Sequence, residues 1–319
     1  MAIIEPGHAA KQLIYERIFR SATFTAAILV LLILGGVAAS LLRGAWPALS
    51  HFGFAFVTRE IWNPVTDQFG ALAPIYGTVI TSLIAMLLAV PAGFGIALFL
   101  TELCPPLLKR PIGVAVELLA AVPSIIFGIW GLFVLAPVLQ RHVQPWLIGS
   151  LGNAPAIGRL FKGPPYGIGI LTAGVVLAIM VVPYIISVSR EVLLAVPADQ
   201  REAALGLGAT RWEATWQVVV PYARIGIFGS IFLSLARALG ETMAVTMVIG
   251  NDPKISASLF APGYSIAAVI ANEFTEATGD LYVQALIELG LVLFLLTIVI
   301  NGLARLLVLA TTQKGSSIE

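Results

Sequence analysis

Residues 197–221 read PADQREAALGLGATRWEATWQVVVP, the longest charged interruption in a strongly apolar chain. Pro197 suits the start of a helix because a first-turn residue needs no N–H donor, and the residues that follow it favour helix. Two glycines then predict the end of that helix. Thr210 precedes Glu213 by three residues, the spacing of a capping box, so a second helix should begin at once and run to about Val220. The stretch therefore predicts a helical hairpin with a sharp glycine turn.

The composition around this stretch indicates a membrane protein. Of 319 residues, 59% are hydrophobic and only 11% are charged, whereas soluble domains average roughly a quarter charged. A net charge of +1 gives no reason to expect nucleic acid as a partner. The single cysteine, Cys104, excludes an intrachain disulfide, and with three scattered histidines it predicts neither a metal site nor a cofactor. The chain has no P-loop and no common hydrolase motif, so we do not expect an enzyme, and ATP hydrolysis would need another chain.

Six apolar stretches are long enough to cross a bilayer. They are predicted at residues 22–42, 75–101, 112–139, 167–189, 226–249 and 281–309. A cleaved signal peptide is the rival interpretation of the first stretch, but that stretch exceeds the roughly 7 to 15 apolar residues typical of one. The sequence therefore predicts an all-α integral membrane protein with six transmembrane helices.

Three shorter segments between or before the spans also carry predictions. Residues 8–20 mix basic and apolar side chains, which favours a helix lying on the membrane surface. Aromatic residues between 43 and 74 predict a loop against the outer face, because amphipathic rings settle at the membrane interface. A short helix is predicted at 265–275.

The distribution of Lys and Arg predicts the orientation in the membrane. Eleven of the 18 lie at the two termini, at positions 109 and 110, and between 190 and 224. Six lie in the alternate segments, and Arg237 lies within the fifth span. Because basic residues favour the cytoplasmic side, we expect both termini and the hairpin to be cytoplasmic.

Arg237 is the basic residue predicted near the centre of a span, where its insertion into the membrane costs free energy. It lies 11 residues after Gly226 and 12 before Ile249, where an arginine costs about 2.5 to 3.5 kcal/mol on insertion scales. Glu241 follows four residues later, so on one helix the two side chains share a face and can pair. Two interpretations stay open: a structural pair that joins helices, or a guanidinium beside a translocation path, where its planar fork binds phosphate or carboxylate oxygens.

Other polar residues within the predicted spans are candidates for the same path. Glu117 and Glu288 can face the same translocation path as Arg237, or each can reach the membrane interface and have no role in transport. Hydroxyl side chains follow the Arg237 face and can bind a hydrated anion or serve helix packing; these are Ser234, Thr242 and Thr246.

The hairpin resembles the EAA loop of ABC-importer permeases, whose pattern is EAA-x3-G-x9-I-x-L-P. Both aliphatic positions are valine here, and the other positions match at Glu202, Ala203, Ala204, Gly208 and Pro221. The resemblance implies a coupling helix seated in a cleft of a separate ATP-hydrolysing subunit. It also implies that Gly208 gives the bend and that Glu202 makes a polar or charged contact.

Four further segments resemble the C subunits of phosphate-specific ABC importers. They are ARALGETMAVT at 236–246, ELLAAVPSIIFGIWGLF at 117–133, GALAPIYGT at 70–78 and ANEFTEA at 271–277. This resemblance implies the type I ABC-importer (MetI-like) permease fold and inward transport of inorganic phosphate by alternating access. It further implies that Arg237 and Glu241 are important for transport.

The same resemblance implies the partners and the division of the chain. We expect an A-type permease subunit forming a heterodimer, two ATPase subunits, a periplasmic phosphate-binding protein, and a location among the lipids of the bacterial inner membrane. Residues 1–70 would hold the N-terminal cytoplasmic segment, the first span and a periplasmic loop. Residues 71–309 would form the permease domain with its coupling loop at 197–221, and residues 310–319 a cytoplasmic tail.

Other functions remain open. Within the class, the chain can be an ABC permease for another oxyanion such as sulfate or molybdate. A secondary phosphate transporter would need coupling-ion sites and would commonly show an internal repeat, neither of which the sequence displays. A membrane scaffold that senses phosphate without moving it would lack uptake in a reconstituted system.

Overall fold

The structure is a computed structural model that describes residues 6–155 and 157–313, and in this range every element longer than an isolated bridge is helical. The α-helices are α1 Pro6–Phe52, α2 Ala55–Thr58, α3 Leu72–Leu98, α4 Pro106–Ala120, α5 Ser124–Trp130, α6 Ala136–Val138, α7 Gln144–Leu151, α8 Ile170–Leu194, α9 Ala198–Gly206, α10 Arg211–Ala214, α11 Val220–Leu239, α12 Met243–Val248, α13 Ile266–Glu273 and α14 Asp280–Gln313. Short π-helical turns join some of them, at Phe99–Leu103, Gly131–Leu135, Leu139–Val143 and Thr215–Val219.

Six helical runs among the described residues are long and apolar enough to cross a membrane. They are Tyr15–Phe52, Leu72–Leu103, Ser124–Leu151, Ile170–Leu194, Arg211–Leu239 and Asp280–Leu306. Many large apolar side chains on these helices are exposed, as expected for helices that face lipid. The all-α, six-span prediction is confirmed, although several boundaries differ from those predicted.

The first helix is longer than predicted. Residues 6 to 52 form one continuous helix, so the predicted surface helix at 8–20 is not a separate element. No break occurs at residue 43 either, because the helix accommodates Pro47. Several of the aromatic residues that follow are packed into a core, with Phe56, Trp62 and Phe69 all buried, whereas Phe54 is 82% exposed. The placement of this loop against the outer face of the membrane stays a prediction.

The third span is shifted along the sequence. Pro123 ends α4 at Ala120, because the residue before a proline is disfavoured in the α conformation. The span then runs from Ser124 to Leu151, with π-helical turns between α5, α6 and α7. The predicted span at 112–139 is therefore wrong at both ends, and Glu117 lies in α4, outside the span.

The fifth span is also displaced. The second hairpin helix does not end near Val220 but continues through a π-helical turn into α11. This helix ends at Leu239, and after a break at residues 240–242 the chain resumes as α12. The predicted span at 226–249 is therefore interrupted inside the apolar stretch.

Helix α8 is the centre of the bundle. It packs against α3 and α11, and its buried side chains form the main apolar cluster with residues of α3, α5 and α12. The approach to α3 is close: a Cβ on Gly93 would lie 2.8 Å from Ile185 Cγ2. Ser189 and Ser230 join α8 to α11 by a hydrogen bond of 2.9 Å between their hydroxyls. Small residues and hydroxyls therefore hold the central helices together.

The connections gather at two ends of the bundle. At one end lie α4 and the hairpin of α9 and α10, which we call the hairpin end. At the other lie the loops before α3, before α8 and around α13, joined by contacts such as Ile255 N–H to Glu60 Oε1 at 2.6 Å. We call this the opposite end. The short helix predicted at 265–275 is confirmed there as α13, with Ser265 accepting a hydrogen bond from Ala268 N–H.

Candidate functional site: the coupling hairpin and the broken fifth span

The hairpin has the geometry that its sequence predicts. Helix α9 ends at Gly206, and Gly208 takes a φ of +91°, a conformation that side-chain-bearing residues rarely adopt. Thr210 then caps α10: its hydroxyl accepts from Glu213 N–H at 3.3 Å, and its own N–H donates to Glu213 Oε2 at 2.8 Å. Both halves of the predicted capping box are therefore present, and they fix the start of the second helix.

The outer surface of the hairpin has few contacts with the rest of the chain. No residue of α9 is buried. Glu202 and Ala203 are exposed, Ala204 is partly buried, and Pro221 is exposed in the first turn of α11. Large apolar side chains are exposed as well, with Leu207 at 91%. An exposed surface of this kind is typical of a docking site for another protein.

The inner surface of the hairpin is anchored to three spans. An apolar cluster joins the π-helical turn after α10 and the start of α11 to the ends of α3 and α8; its buried members are Ala97, Leu193, Val196, Val219, Ala223 and Ile227. Arg201 adds a charged contact, with Nη2 lying 3.2 Å from Glu102 Oε1 and donating to the Leu193 carbonyl oxygen at 2.7 Å. The sequence did not predict this contact, because Arg201 and Glu102 lie 99 residues apart.

Arg237 lies in the last turn of α11 and is exposed in the single chain. Its guanidinium carbon lies 6.0 Å from the ring centroid of Tyr184, a cation–π contact that the sequence reasoning did not identify. Tyr184 follows Ile170 by 14 residues and precedes Leu194 by 10, so it stands about 21 Å and about 15 Å from the ends of α8. Arg237 is therefore level with the middle of the central helix, although it ends its own.

Glu241 lies in the break between α11 and α12 and does not pair with Arg237. Its Oε1 accepts a hydrogen bond from Ala244 N–H at 3.3 Å, at the start of α12. Within residues 6–155 and 157–313, the ion pairs closer than 4 Å are Arg190–Glu117 and Arg201–Glu102. The expected pair fails because the helix ends at Leu239, so the two residues do not share one helix face.

The hydroxyl side chains near Arg237 donate hydrogen bonds to backbone carbonyl oxygens. Ser234 is buried and donates to the Ser230 carbonyl oxygen at 2.7 Å, and Thr246 donates to the Thr242 carbonyl oxygen at 2.7 Å. The Thr242 hydroxyl donates to the Gly240 carbonyl oxygen at 3.4 Å. These bonds favour the packing interpretation for all three.

The two remaining acidic candidates do not join this site. Glu117 lies in α4 at the hairpin end, where its Oε1 is 3.9 Å from Arg190 Nη1. Glu288 is only 1% exposed within α14, and its Oε2 has no hydrogen-bond partner among the described residues. The structure thus places Arg237 just before a helix break and Glu241 within that break, and the other two elsewhere.

At the opposite end, Glu273 collects three hydrogen bonds. Oε2 accepts from Trp62 Nε1 at 2.6 Å and from the Tyr282 hydroxyl at 2.5 Å, and Oε1 accepts from the Tyr264 hydroxyl at 2.9 Å. Burial, reinforced by the neighbouring Glu273 charge, raises the pKa of the Tyr264 hydroxyl, so this donor keeps its proton. The sequence reasoning quoted ANEFTEA without assigning Glu273 a role. Residues far apart in the sequence are thereby joined through one carboxylate.

The chain is similar to known transport proteins. Residues 89–313 match the family described as "Binding-protein-dependent transport system inner membrane component". The chain is 62% identical over 290 residues to "Phosphate transport system permease protein PstC" of Mesorhizobium japonicum, covering 91% of this chain and 89% of that protein. It is 53% identical over 301 residues to the protein of the same name from Pasteurella multocida, covering 94% of each.

Among solved structures, the chain is similar to one in "Inward facing conformations of the MetNI methionine ABC transporter: CY5 SeMet soak crystal form". The identity is 17% and the TM-score 0.49, over 74% of this chain and 93% of that chain.

Proposed function

The chain belongs to the family of binding-protein-dependent transport system inner membrane components, and on that premise we propose that it is a permease subunit that carries inorganic phosphate into the cytoplasm. Relatives named as phosphate transport system permeases support phosphate over sulfate or molybdate. Membership of this family also favours an ATP-driven importer over a secondary transporter. ATP is then hydrolysed by separate subunits, and this chain supplies the path.

The observation that carries the proposal is the position of Arg237. Its guanidinium is level with the middle of α8, is exposed in the single chain and has no carboxylate within 4 Å among the described residues. A charge kept at such a depth is costly and is a functional hypothesis by default. The planar fork of donors matches two phosphate oxygens at once, which a lysine cannot do.

The helix break supplies the rest of the path. An interrupted helix leaves backbone groups unpaired, and transporters tolerate this where the break lines a water-filled cavity. Glu241 lies within the break, where its carboxylate is near the proposed route of the anion. Transport needs binding that is strong enough to admit the ion and weak enough to release it, and a neighbouring carboxylate weakens anion binding.

The proposed assembly completes the surfaces that the single chain leaves open. An A-type permease covers the exposed side of Arg237 in a heterodimer, and two ATPase subunits receive the coupling hairpins. A periplasmic phosphate-binding protein docks at the opposite end. The hairpin end and both chain termini then face the cytoplasm, as the excess of basic residues favours.

Phosphate uptake by the complete complex in proteoliposomes tests this proposal. We expect the double variant Arg237→Leu/Glu241→Leu to assemble and to lose uptake at least tenfold, while Arg237→Lys retains part of the activity because a point charge remains. Arg224→Leu is the matched control, because it removes an exposed arginine from the same helix at the hairpin end. Near-normal uptake by the assembled double variant contradicts a role for Arg237 in the path, and preferred uptake of sulfate or molybdate contradicts the substrate.

A further inference from the structure

We propose that Arg201 and Glu102 form a coupling strut, positioning residues that transmit movement of the hairpin to the second span. This inference rests on the proposed function, because it concerns how an ATPase docked on the hairpin drives the path. Arg201 lies on α9, directly before Glu202, whereas Glu102 closes the second span 99 residues earlier in the chain. The strut therefore joins the surface that meets the ATPase to a membrane-spanning helix.

Through the Arg201 guanidinium, the contact connects α9 to the second span and to α8. Arg201 Nη2 lies 3.2 Å from Glu102 Oε1 and donates to the carbonyl oxygen of Leu193, at the end of α8, at 2.7 Å. The side chains of Arg201 and Glu102 are only 25% and 18% exposed. A partly buried charge pair is less screened by salt than a surface pair, so its attraction persists under physiological conditions.

The pair is attracted without being locked. Neither Glu102 Oε1 nor Arg201 Nε has a hydrogen-bond partner among the described residues, although both atoms are buried. The 3.2 Å contact is thus one between charges that are not aligned as donor and acceptor. Such a contact can shift in distance and angle without breaking a directional bond, as a moving joint requires.

The surroundings of the pair also favour movement. A cavity of about 210 Å³ adjoins it, lined by Glu102, Arg201, Leu205, Arg211, Ala214, Thr215 and Val219. Part of its lining comes from two π-helical turns, Phe99–Leu103 in the second span and Thr215–Val219 directly before α11. Such turns are rare and occur frequently at functional sites, and a return to α-helical winding shifts the helix beyond them. The strut thus joins the second span at Phe99–Leu103, a π-helical turn that can change to α-helical winding.

The second span connects this joint to the path. Its helix packs closely on α8, where a Cβ on Gly93 would come within 2.8 Å of Ile185 Cγ2. Tyr184, the partner of Arg237, is the neighbour of Ile185 on α8. Close-packed helices transmit displacement because they have little free volume to absorb it. A displacement of Glu102 is therefore transmitted by the second span to α8, and by α8 to Tyr184 and Arg237.

A purely stabilising role does not account for the geometry. Partly exposed ion pairs contribute little to folding free energy, and the apolar cluster around Leu193 and Val219 already joins the start of α11 to α3 and α8. That cluster contains no residue of α9, whereas the Arg201–Glu102 contact joins α9 itself to the second span. We therefore expect its loss to affect the link between ATP hydrolysis and transport more than assembly.

The test measures phosphate uptake and ATP hydrolysis in the same proteoliposomes containing the complete complex. We expect Glu102→Gln and Arg201→Gln to keep ATPase activity within twofold while phosphate moved per ATP falls at least fivefold. The exchange Glu102→Arg/Arg201→Glu should restore at least half of that ratio, because the attraction returns with its signs reversed. Arg110→Gln, which removes an exposed arginine from α4 at the same end of the bundle but outside the hairpin, is the matched control and should change nothing.

A second measurement reports on the strut without transport. In the wild-type complex, ATP should change amide hydrogen exchange of residues 99–103 at least threefold, and both single variants should abolish that response. The strut is overturned if the single variants keep both the wild-type amount of phosphate moved per ATP and the wild-type response of amide hydrogen exchange to ATP. It is also overturned if the double variant Glu102→Arg/Arg201→Glu restores neither quantity. A wild-type complex that moves no phosphate contradicts the proposed function instead, and the exchange response then decides the strut independently.

Discussion

The two ends of the bundle are built in different ways. At the opposite end, Phe69 stacks on Tyr282 with ring centroids 5.1 Å apart, and three aromatic donors share the Glu273 carboxylate. At the hairpin end, no residue of α9 is buried, and Leu207 projects from the turn. The opposite end satisfies its polar groups and buries its rings within the chain, whereas the hairpin leaves apolar surface for another protein.

This contrast indicates where stability and coupling reside. Substitutions at the opposite end should lower folding stability, because they leave buried donors without an acceptor. Substitutions that change the shape of the hairpin should leave the rest of the fold unchanged and affect the partner. Three experiments test this division, ordered from the largest expected effect.

The largest expected effect is all-or-none and concerns which end faces which compartment. Val65 is 92% exposed at the opposite end and Leu207 is 91% exposed on the hairpin, so cysteines introduced at these positions are accessible. An impermeant maleimide added to intact cells should label Val65→Cys and not Leu207→Cys, and permeabilised cells should label both. The native Cys104 is only 4% exposed and gives little background. Labelling of Leu207→Cys in intact cells would reverse the orientation.

Gly208→Val should abolish coupling while the protein remains folded. A β-branched residue is strongly disfavoured at the φ of +91° that this turn requires, so the hairpin must change shape. We expect phosphate uptake and recovery of the ATPase subunit to fall at least tenfold, with the melting temperature within about two degrees of wild type, since only an exposed turn is affected.

Gly206→Val is the matched control, because it places the same side chain on the same exposed hairpin, in open space and at a φ outside the left-handed region. It should retain most of the uptake. Equal loss in both variants would assign the effect to the added side chain and not to the turn.

Glu273→Gln should give the smallest of the three effects, and on stability alone. The amide keeps one acceptor oxygen for three donors and turns its own N–H groups toward them, which costs about 2 kcal/mol for lost charge-assisted bonds. Thermal unfolding in detergent measures this cost. The control is Glu276→Gln, an exposed carboxylate three residues away, which should lie within about 0.5 kcal/mol of wild type. Equal melting temperatures for the two variants would show that the Glu273 bonds contribute nothing.

Local signals in the sequence predicted the hairpin well. A cap, a positive-φ glycine and a capping box each act over three or four residues, so Thr210, Glu213 and Gly208 could be assigned without knowledge of the packing. The number of spans followed from apolar length alone. The division of the chain into 1–70, 71–309 and 310–319 stays a prediction, and part of its last segment lies outside the described residues.

Long-range contacts were not predictable in the same way. The Glu273 bonds join residues up to 211 positions apart, and no periodicity records such a distance. The break after Leu239 was missed because apolar residues continue on both sides of it, so hydropathy alone reads one span. The expected Arg237–Glu241 pair was wrong for that reason, since the spacing of four residues places side chains together only along an unbroken helix.

The first helix has a consequence for the lipid around the protein. Its 47 residues span about 70 Å at 1.5 Å per residue, more than twice the roughly 30 Å hydrocarbon thickness of a bilayer. Its most apolar window is entirely unburied by the rest of the described chain, so lipid or another subunit contacts it there, and those neighbours set its tilt. Because the helix ends at Phe52 in the aromatic cluster of the opposite end, a thinner or thicker membrane acts on that cluster through the tilt of one rod.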